Sequence, residues 1–284
     1  MIPIRVIRRR IRSIESTAKI TRAMEMIAAS KMRQAQLRDL ASRPYAEKMY
    51  EVVAHLAAQI QPGDEVHPLL QRRDIQRIAI VHITSDRGLC GGLNANVNRM
   101  AASFVVGQAL PVAMIAVGKK GRDFMARYCQ DLIAEFTKLG DRPSVVDTHP
   151  ISRVITDEYT SHKVDQVYLS YTKFITTMKQ EPVMRELLPV SPMTIEGVES
   201  PQYLYEPSAA AVLDHLLPRY VEMEVYHAIL ESIASEQSAR MVAMRNATES
   251  ANDMIDELTL MHNKARQELI TTELLDIAGG VVQE

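Results

Sequence analysis

Residues 219–278 read RYVEMEVYHAILESIASEQSARMVAMRNATESANDMIDELTLMHNKARQELITTELLDIA, sixty residues without a glycine or a proline. Apolar or small side chains recur in and just before this stretch at alternating steps of three and four: Leu213, Leu216, Tyr220, Met223, then Leu230, Ala234, and later Met241, Met244, Thr248, Ala251, Ile255, Leu258, Ala265 and Leu269. This step is that of a heptad seam. As a helix the stretch would reach roughly 90 Å, about three times the width of a small domain. We therefore predict a long helix that lies along a second one.

The first forty residues contain a matching apolar stripe. Its members step by three and four and, after a small offset at residue 20, resume the same step: Ile4, Ile7, Ile11, Ile14, Ala18, then Ile20, Met24, Ile27, Ala28, Met32 and Ala35. Pro3 suits the first turn of a helix, whereas Arg43-Pro44 is expected to kink or interrupt it. A helical pattern resumes from Tyr45 to Gln59.

The two ends of the chain carry opposite charge. Residues 1–50 have twelve Lys/Arg and four Asp/Glu, whereas residues 206–284 have five Lys/Arg and fourteen Asp/Glu. The electric field between them favours pairing, although single exposed ion pairs contribute only tenths of a kcal/mol. Burial of the two stripes supplies most of the stability. We therefore predict an antiparallel coiled coil of the N- and C-terminal helices. An arginine-rich helix could instead bind nucleic acid, but the acidic helix is the better-matched partner.

The middle of the chain has a different composition. Nine of the eleven glycines and all four phenylalanines lie between residues 63 and 197, so this region is the globular domain. Buried strands are predicted at 77–83, 112–117 and 166–172, and helices near 95–106, 123–129 and 154–161. This alternation indicates a Rossmann-like α/β domain with a mainly parallel sheet. The predicted domains are 1–60 (coiled-coil helix), 75–190 (central α/β domain) and 207–284 (coiled-coil helix that pairs with 1–60).

Bulk composition narrows the class of protein. A hydrophobic content of 46% with 24% charged residues is that of a folded chain. Cys90 and Cys129 suggest neither a disulfide framework nor a metal site, which favours a reducing, cytoplasm-facing location. Neither a signal peptide nor a membrane span is predicted, because the basic start continues as an amphipathic helix and the longest apolar run contains Gln108 and Pro111.

A glycine-rich turn at residues 84–94 is the strongest candidate for a chemical site. Gly88, Gly91 and Gly92 lack dinucleotide spacing, and no Gly-Lys-Ser/Thr follows, so they are interpreted as backbone turns at the sheet edge. The alternative is a nucleotide-binding enzyme with Asp86 and Arg87 at a strand end. His227 and His262 fall on the helix seam, where a polar residue sets register. No catalytic residue, cofactor or metal is predicted.

Five motifs, in order along nearly the whole chain, resemble the gamma subunit of F-type ATP synthases. They are Ile11 to Ile14 with Lys19 to Met32, Ser85 to Asn94, Leu187 to Pro189 with Tyr203 to Pro207, Ser235 to Met241, and His262 to Gln267. The sequence departs from the family at His262, where an aromatic residue is usual. It also lacks the inserted cysteine pair of the chloroplast type.

The resemblance implies a rotor shaft without a catalytic group of its own. Its partners would be the alpha, beta and epsilon subunits, with delta as a further candidate, and the c-subunit ring of the membrane sector. Met24, Arg240, Gln267, Thr271 and Glu273 would contact the alpha/beta ring. Tyr203 and Glu206 would face the c ring and epsilon.

The same resemblance implies a place for the chain in the cell. It would be peripheral on the cytoplasmic face of a bacterial plasma membrane, with an organellar equivalent as the alternative. A coiled-coil scaffold without a motor role is the remaining rival. The apolar end, Leu274 to Val282, is expected to project past the shorter first helix.

Overall fold

The computed structural model describes residues 3–58, 67–128, 131–191, 206 and 208–280, the side chains of 57, 58, 276 and 278–280 excepted. The elements follow in the order α1 (Ile4–Ala58), β1 (Ile78–Ile83), α2 (Leu93–Gly107), β2 (Val112–Val117), α3 (Lys119–Tyr128), β3 (Leu132–Phe136), α4 (Val145–Thr160), β4 (Gln166–Phe174), β5 (Gln180–Leu188) and α5 (Ala209–Gly280). A short 3-10 helix at Pro68–Leu70 precedes β1. Two compact units are present: unit 1 is Met1–Ala29 with Arg240–Glu284, and unit 2 is Ser30–Ala239.

Unit 2 is built on a five-stranded sheet in the order β3-β2-β1-β4-β5. The central strand β1 runs parallel to both neighbours, with Ile80 opposite Met114 on β2 and Tyr168 on β4. The β2–β3 pair is also parallel, and only β4–β5 is antiparallel. The prediction of an α/β fold with a mainly parallel sheet is therefore confirmed.

The central strands are buried because helices cover both faces of the sheet. All six residues of β1 are buried, which explains why five of the six are apolar. On one face, α4 packs with the unit 2 parts of α1 and α5 in the larger hydrophobic core. On the other face, α2 and α3 enclose a smaller core around Ile80, Ala101, Met114 and Met125.

The two edge strands, β3 and β5, were not predicted from the sequence. Strand β3 is short and half-buried, with an exposed Glu135, so it lacks a continuous apolar run. Strand β5 carries Pro182 and several charged residues, which are features of a sheet edge rather than of its centre. Proline is tolerated there because one side of an edge strand has no neighbouring strand to which its N–H would donate.

Helix boundaries differ from the prediction where a cap or tertiary packing decides them. Helix α4 begins at Val145 rather than near 154, because the Asp147 carboxylate accepts hydrogen bonds from the Ser144 N–H at 2.8 Å and from its hydroxyl at 2.7 Å. Pro150 is then accommodated inside the helix. Helices α2 and α3 likewise begin earlier than predicted, at Leu93 and Lys119.

Helix α1 continues through Pro44, so the predicted interruption is wrong. A proline inside a helix costs about 3 kcal/mol through a lost hydrogen bond and a steric clash. Ala35, before the proline, and Met49 and Val53, after it, are buried in the same core. Their packing on both sides outweighs the local preference of the proline.

Candidate functional site: the paired helices and the edge of the sheet

In unit 1, the ends of the chain form an antiparallel helix pair. Thr21 and Thr248 share a buried hydrogen bond of 2.7 Å between their hydroxyls. One turn along, Arg245 Nε donates to Glu25 Oε1 at 2.9 Å. As the residue number rises on α1, it falls on α5, which defines the antiparallel direction. The predicted pairing of the N- and C-terminal helices is confirmed.

The buried seam of unit 1 combines a predicted and an unpredicted part. On α5 the predicted Met241, Met244, Thr248 and Ala251 are buried. On α1 the seam continues without an offset, at steps of three and four: Ile7, Ile11, Ile14, Ala18, Thr21, Glu25 and Ala28, each buried or half-buried. The expectation that Ile20 and Ile27 belong to the seam is wrong, since they are 60% and 54% exposed. The regular heptad spacing of the seam includes Thr21. A prediction based only on apolar residues would not place this threonine in the seam.

The last turns of α5 lie beyond the reach of α1. The register of the pair places Ile4 opposite about residue 265, and every side chain described from Arg266 to Leu275 is exposed. Leu274, Leu275 and Ile277 are among the exposed large hydrophobic residues. The C-terminal end of α5 therefore presents apolar side chains that α1 does not cover, as predicted for Leu274, Leu275 and Ile277; Val281 and Val282 lie outside the described residues.

The predicted contact residues occupy three different environments. Met24 is half-buried and Arg240 is buried, both within unit 1. Gln267, Thr271 and Glu273 are exposed. Gln267 and Thr271 lie one turn apart on one face of α5, where the Thr271 hydroxyl donates to the Gln267 carbonyl at 2.9 Å.

The two residues predicted to face the c ring are only partly within the structure. Glu206 is exposed. Tyr203 lies outside the described residues.

At the carboxyl edge of the sheet, Asp86 connects the start of α3 to the segment that follows β3. Its carboxylate accepts hydrogen bonds from the N–H groups of Lys119 and Lys138, each at 2.9 Å. Lys119 is the first residue of α3, the position at which a helix of an α/β protein can bind a phosphate. Here the chain's own carboxylate occupies that position and would repel a phosphate.

The glycines of this edge allow close packing. A Cβ at Gly118, where φ is +94°, would lie 2.1 Å from the Thr84 carbonyl oxygen. The Thr84 hydroxyl also accepts the Gly121 N–H at 2.7 Å. Gly91 adopts φ of +60° in the turn before α2. Of the three glycines that were interpreted as turns from the sequence, Gly91 has the positive φ of such a turn, whereas Gly88 and Gly92 do not. The close contacts are made by Gly118 and Gly121.

A side-chain hydrogen bond links α1 and α5 within unit 2. His227 Nδ1 lies 3.0 Å from Asp39 Oδ1, and Arg43 binds the other carboxylate oxygen at 2.9 Å. Burial alone would raise the pKa of Asp39, but the hydrogen bond from His227 and the charge of Arg43 hold this pKa below its ordinary value. The sequence placed His227 on the seam but missed Asp39, although Asp39 follows Ala35 at the four-residue step of the stripe.

A second polar chain, also missed by the sequence analysis, crosses the centre of the sheet. His82 on β1 is fully buried, with Nδ1 3.0 Å from the Ser170 hydroxyl and Nε2 2.8 Å from Asn98 Oδ1. Burial lowers the pKa of His82 to about 4. The ring is therefore neutral, with Nε2–H donating to Asn98 and Nδ1 accepting from Ser170. The position of a histidine inside an otherwise apolar strand is the feature of the sequence that could have predicted these buried polar contacts.

Two other classes of site are absent from the part of the chain that the structure describes. Across the described residues, no three His, Cys, Asp or Glu side chains are grouped as metal ligands. Of the helices that the structure describes, none combines the length and the apolar composition needed to cross a membrane.

Taken together, these features define a two-part protein class: an α/β domain whose chain ends pair as long antiparallel helices. A family model described as ATP synthase matches residues 3–282. The ATP synthase gamma chain of Dehalococcoides mccartyi strain ATCC BAA-2266 is 60% identical over 280 residues, which cover 99% of this chain and 98% of that one. That of Herpetosiphon aurantiacus is 48% identical over 97% of both chains. The chain belongs to the ATP synthase gamma chain family.

Solved structures agree on the fold. A chain of the central stalk and c ring of the Tetrahymena thermophila mitochondrial ATP synthase matches with a TM-score of 0.62 and 26% identity, over 80% of this chain and 99% of that one. A chain of the Euglena gracilis mitochondrial ATP synthase rotor matches with a TM-score of 0.67 and 19% identity, over 94% of this chain and 98% of that one.

Proposed function

We propose that this chain is the central rotor shaft of an F-type ATP synthase. It couples ion flow through the membrane sector to ATP synthesis or hydrolysis on the beta subunits, by rotating inside the alpha/beta ring. The observation that carries this proposal is the antiparallel helix pair of unit 1, whose buried seam joins residues from opposite ends of the chain. Membership of the gamma chain family over nearly the full length supports it.

The mechanism follows from the asymmetry of a helix pair. Three chemically identical beta subunits around one shaft meet different side chains at any moment, because the pair has no three-fold symmetry. Each subunit's conformational equilibrium is biased by the contacts that it meets. Rotation moves each set of contacts to the next subunit, so the three catalytic sites change state in turn.

The chain itself carries no catalytic group in this proposal. The polar groups at the carboxyl edge of the sheet support the absence of a catalytic role. Asp86 accepts hydrogen bonds from two backbone N–H groups, and the Thr84 hydroxyl is hydrogen-bonded to the backbone of Val117 and Gly121. Groups held in this way are part of the framework that joins β1, β2 and α3.

Individual contacts are part of the same proposal. Met24, Arg240, Gln267, Thr271 and Glu273 contact the alpha/beta ring, while Tyr203 and Glu206 face the c ring and epsilon. The exposure of Gln267, Thr271 and Glu273 supports their part. Segments 1–60, 75–190 and 207–284 act as first shaft helix, foot domain and second shaft helix. The foot contacts epsilon and the c ring, with delta as a further partner, on the cytoplasmic face of a bacterial plasma membrane.

Reconstitution tests the function directly. We expect the purified chain to hydrolyse no measurable ATP, and its addition to alpha and beta subunits to restore rotation-coupled hydrolysis. Comparable hydrolysis by the chain alone would overturn the proposal in favour of a nucleotide-binding enzyme. Covalent crosslinking of the chain to beta should stop turnover, and unchanged turnover would leave only a static scaffold.

A further inference from the structure

An open groove runs along the outer surface where α2 and α3 meet, on the face of the sheet away from α4. Helix α2 packs on β4 and β5, α3 packs on β2 and β3, and the two helices also contact each other beneath the groove. The groove has a volume of about 920 Å³, is open to solvent, and extends along α2 from Asn94 to Gly107. At 1.5 Å per residue it is roughly 20 Å long, which is three to four helical turns.

Part of the groove is apolar and exposed. Val106 lines it near the end of α2 and is 85% exposed. Phe124 on α3 packs against the smaller core, and its ring centroid lies 4.9 Å from that of Tyr128. Apolar side chains bordered by polar ones mark surfaces that bind other molecules.

The charged residues of the groove are mainly basic. Arg99, Lys120 and Arg127 are exposed along it. Asp123 is the acidic residue of the lining, and Arg122 already binds its carboxylate at 2.8 Å. The electrostatic potential in the groove is therefore positive, which favours the binding of an acidic partner.

A buried amide adds a directional donor. Asn98 lines the groove but is only 7% exposed. Its Oδ1 accepts the Nε2–H of the neutral His82 at 2.8 Å, so the chain's own histidine holds this amide in place. The Nδ2 group then remains to donate a hydrogen bond to an acceptor in the groove.

We propose that this groove is a docking surface for an acidic amphipathic helix of another subunit of the same assembly. The length of the groove, its apolar lining and its basic border match the apolar face and the acidic flanks of such a helix. A small ligand fits the geometry less well, because small-molecule sites enclose most of the ligand surface and this groove is open. The proposal rests on the proposed function only for the identity of the assembly.

Site-specific photocrosslinking in the complex, purified in mild detergent, tests the docking surface. A benzophenone amino acid at Val106 should crosslink to a peptide of another subunit that is acidic and has apolar residues at steps of three and four. The matched control is Val146 on α4, which is 79% exposed on the other side of the sheet and should not capture that peptide. Crosslinks from Val106 only within this chain, or only to a peptide without acidic character, would overturn the proposal.

Charge reversal distinguishes docking from other roles of the groove. The double variant Arg99→Glu, Arg127→Glu should lower the crosslink yield at least tenfold, whereas Arg153→Glu on α4 should leave it unchanged. An unchanged yield in the double variant would contradict the proposal. Titration of the full chain with ATP gives the alternative outcome, because saturable binding that Arg99→Glu abolishes would assign the groove to a small anion.

Measurement of ATP hydrolysis by the same preparations tests the rotor function independently of the docking surface. Coupled hydrolysis without the Val106 crosslink would overturn the docking surface alone. Capture of the acidic helix by a preparation that lacks coupled hydrolysis would contradict the rotor and leave the docking surface standing.

Discussion

His82 shows how a single buried group connects the fold to pH. In the unfolded chain its pKa is about 6.5, whereas burial lowers it to about 4 in the folded protein. Between these values the unfolded state binds more protons, so the free energy of unfolding falls as the pH is lowered from 6.5 towards 4. The full effect is about 3 kcal/mol, and it is absent above pH 7.

We predict that His82→Gln removes this part of the pH dependence. Between pH 7 and pH 5 the wild-type protein should lose about 2 kcal/mol more unfolding free energy than the variant, as measured by urea denaturation at both values. Substitution of the exposed His215 by glutamine provides the control and should follow the wild type. Equal losses in the wild type and in His82→Gln would mean that the buried imidazole is not the titrating group.

The threonine pair of the seam allows a second prediction at the scale of single residues. Thr21→Val or Thr248→Val alone removes the hydrogen bond between the two hydroxyls, which should cost about 1 kcal/mol of unfolding free energy, because the remaining hydroxyl keeps its hydrogen bond to the Ala18 or Met244 carbonyl of its own helix. The double variant should cost less than the two single losses added together, because both hydroxyls are removed and two apolar groups meet. Chemical denaturation of the four proteins gives the coupling energy, and strict additivity would contradict a direct bond.

At the scale of the element, α1 contains two apolar rows and only one faces α5. Ala28 is 1% exposed and its neighbour Ile27 is 54% exposed. We predict that Ala28→Lys lowers the free energy of unfolding by about 3 kcal/mol or more, because it forces a charge and extra volume into a packed seam. Ile27→Lys should change it by less than about 1 kcal/mol.

Hydrogen exchange of the α1 amides on the full chain, alongside thermal denaturation, measures this difference. Faster exchange in Ala28→Lys than in Ile27→Lys is the expected result. The reverse order would place Ile20 and Ile27, rather than Thr21 and Ala28, against α5.

At the scale of the whole molecule, the exposed end of α5 is where the shaft can act on other subunits. The Thr271 hydroxyl donates to the Gln267 carbonyl at 2.9 Å. In the neighbouring pair, the Thr272 hydroxyl donates to the Glu268 carbonyl at the same distance. The two pairs lie about 100° apart around the helix. They therefore form a matched test and control.

We predict that Gln267→Ala with Thr271→Ala lowers the coupled ATP hydrolysis of the reconstituted complex at least about fivefold, since each of the two lost polar contacts contributes about 0.5–1.5 kcal/mol. Glu268→Ala with Thr272→Ala should retain nearly full activity. Steady-state hydrolysis by the reconstituted complexes measures both. Equal effects of the two double variants would remove Gln267 and Thr271 from the proposed contacts.

Local patterns in the sequence determined the elements that are most regular. The heptad steps and opposite charges of the ends predicted the helix pair. Mainly apolar segments predicted β1 and β2, because a strand buried on both faces needs no polar side, and the alternation of strands and helices predicted β4. The family motifs likewise predicted the gamma chain family.

The tertiary structure alone decided how these elements meet. Strands β3 and β5 are half-buried edges whose sequence carries little periodic signal, and α1 passes through Pro44 because a shared core lies on both sides of it. Packing also chose Thr21 and Ala28 over Ile20 and Ile27, and it paired Asp39 with His227. The physical reason is that periodicity along a chain specifies which residues can share a face, whereas the partner that covers this face comes from residues distant in sequence.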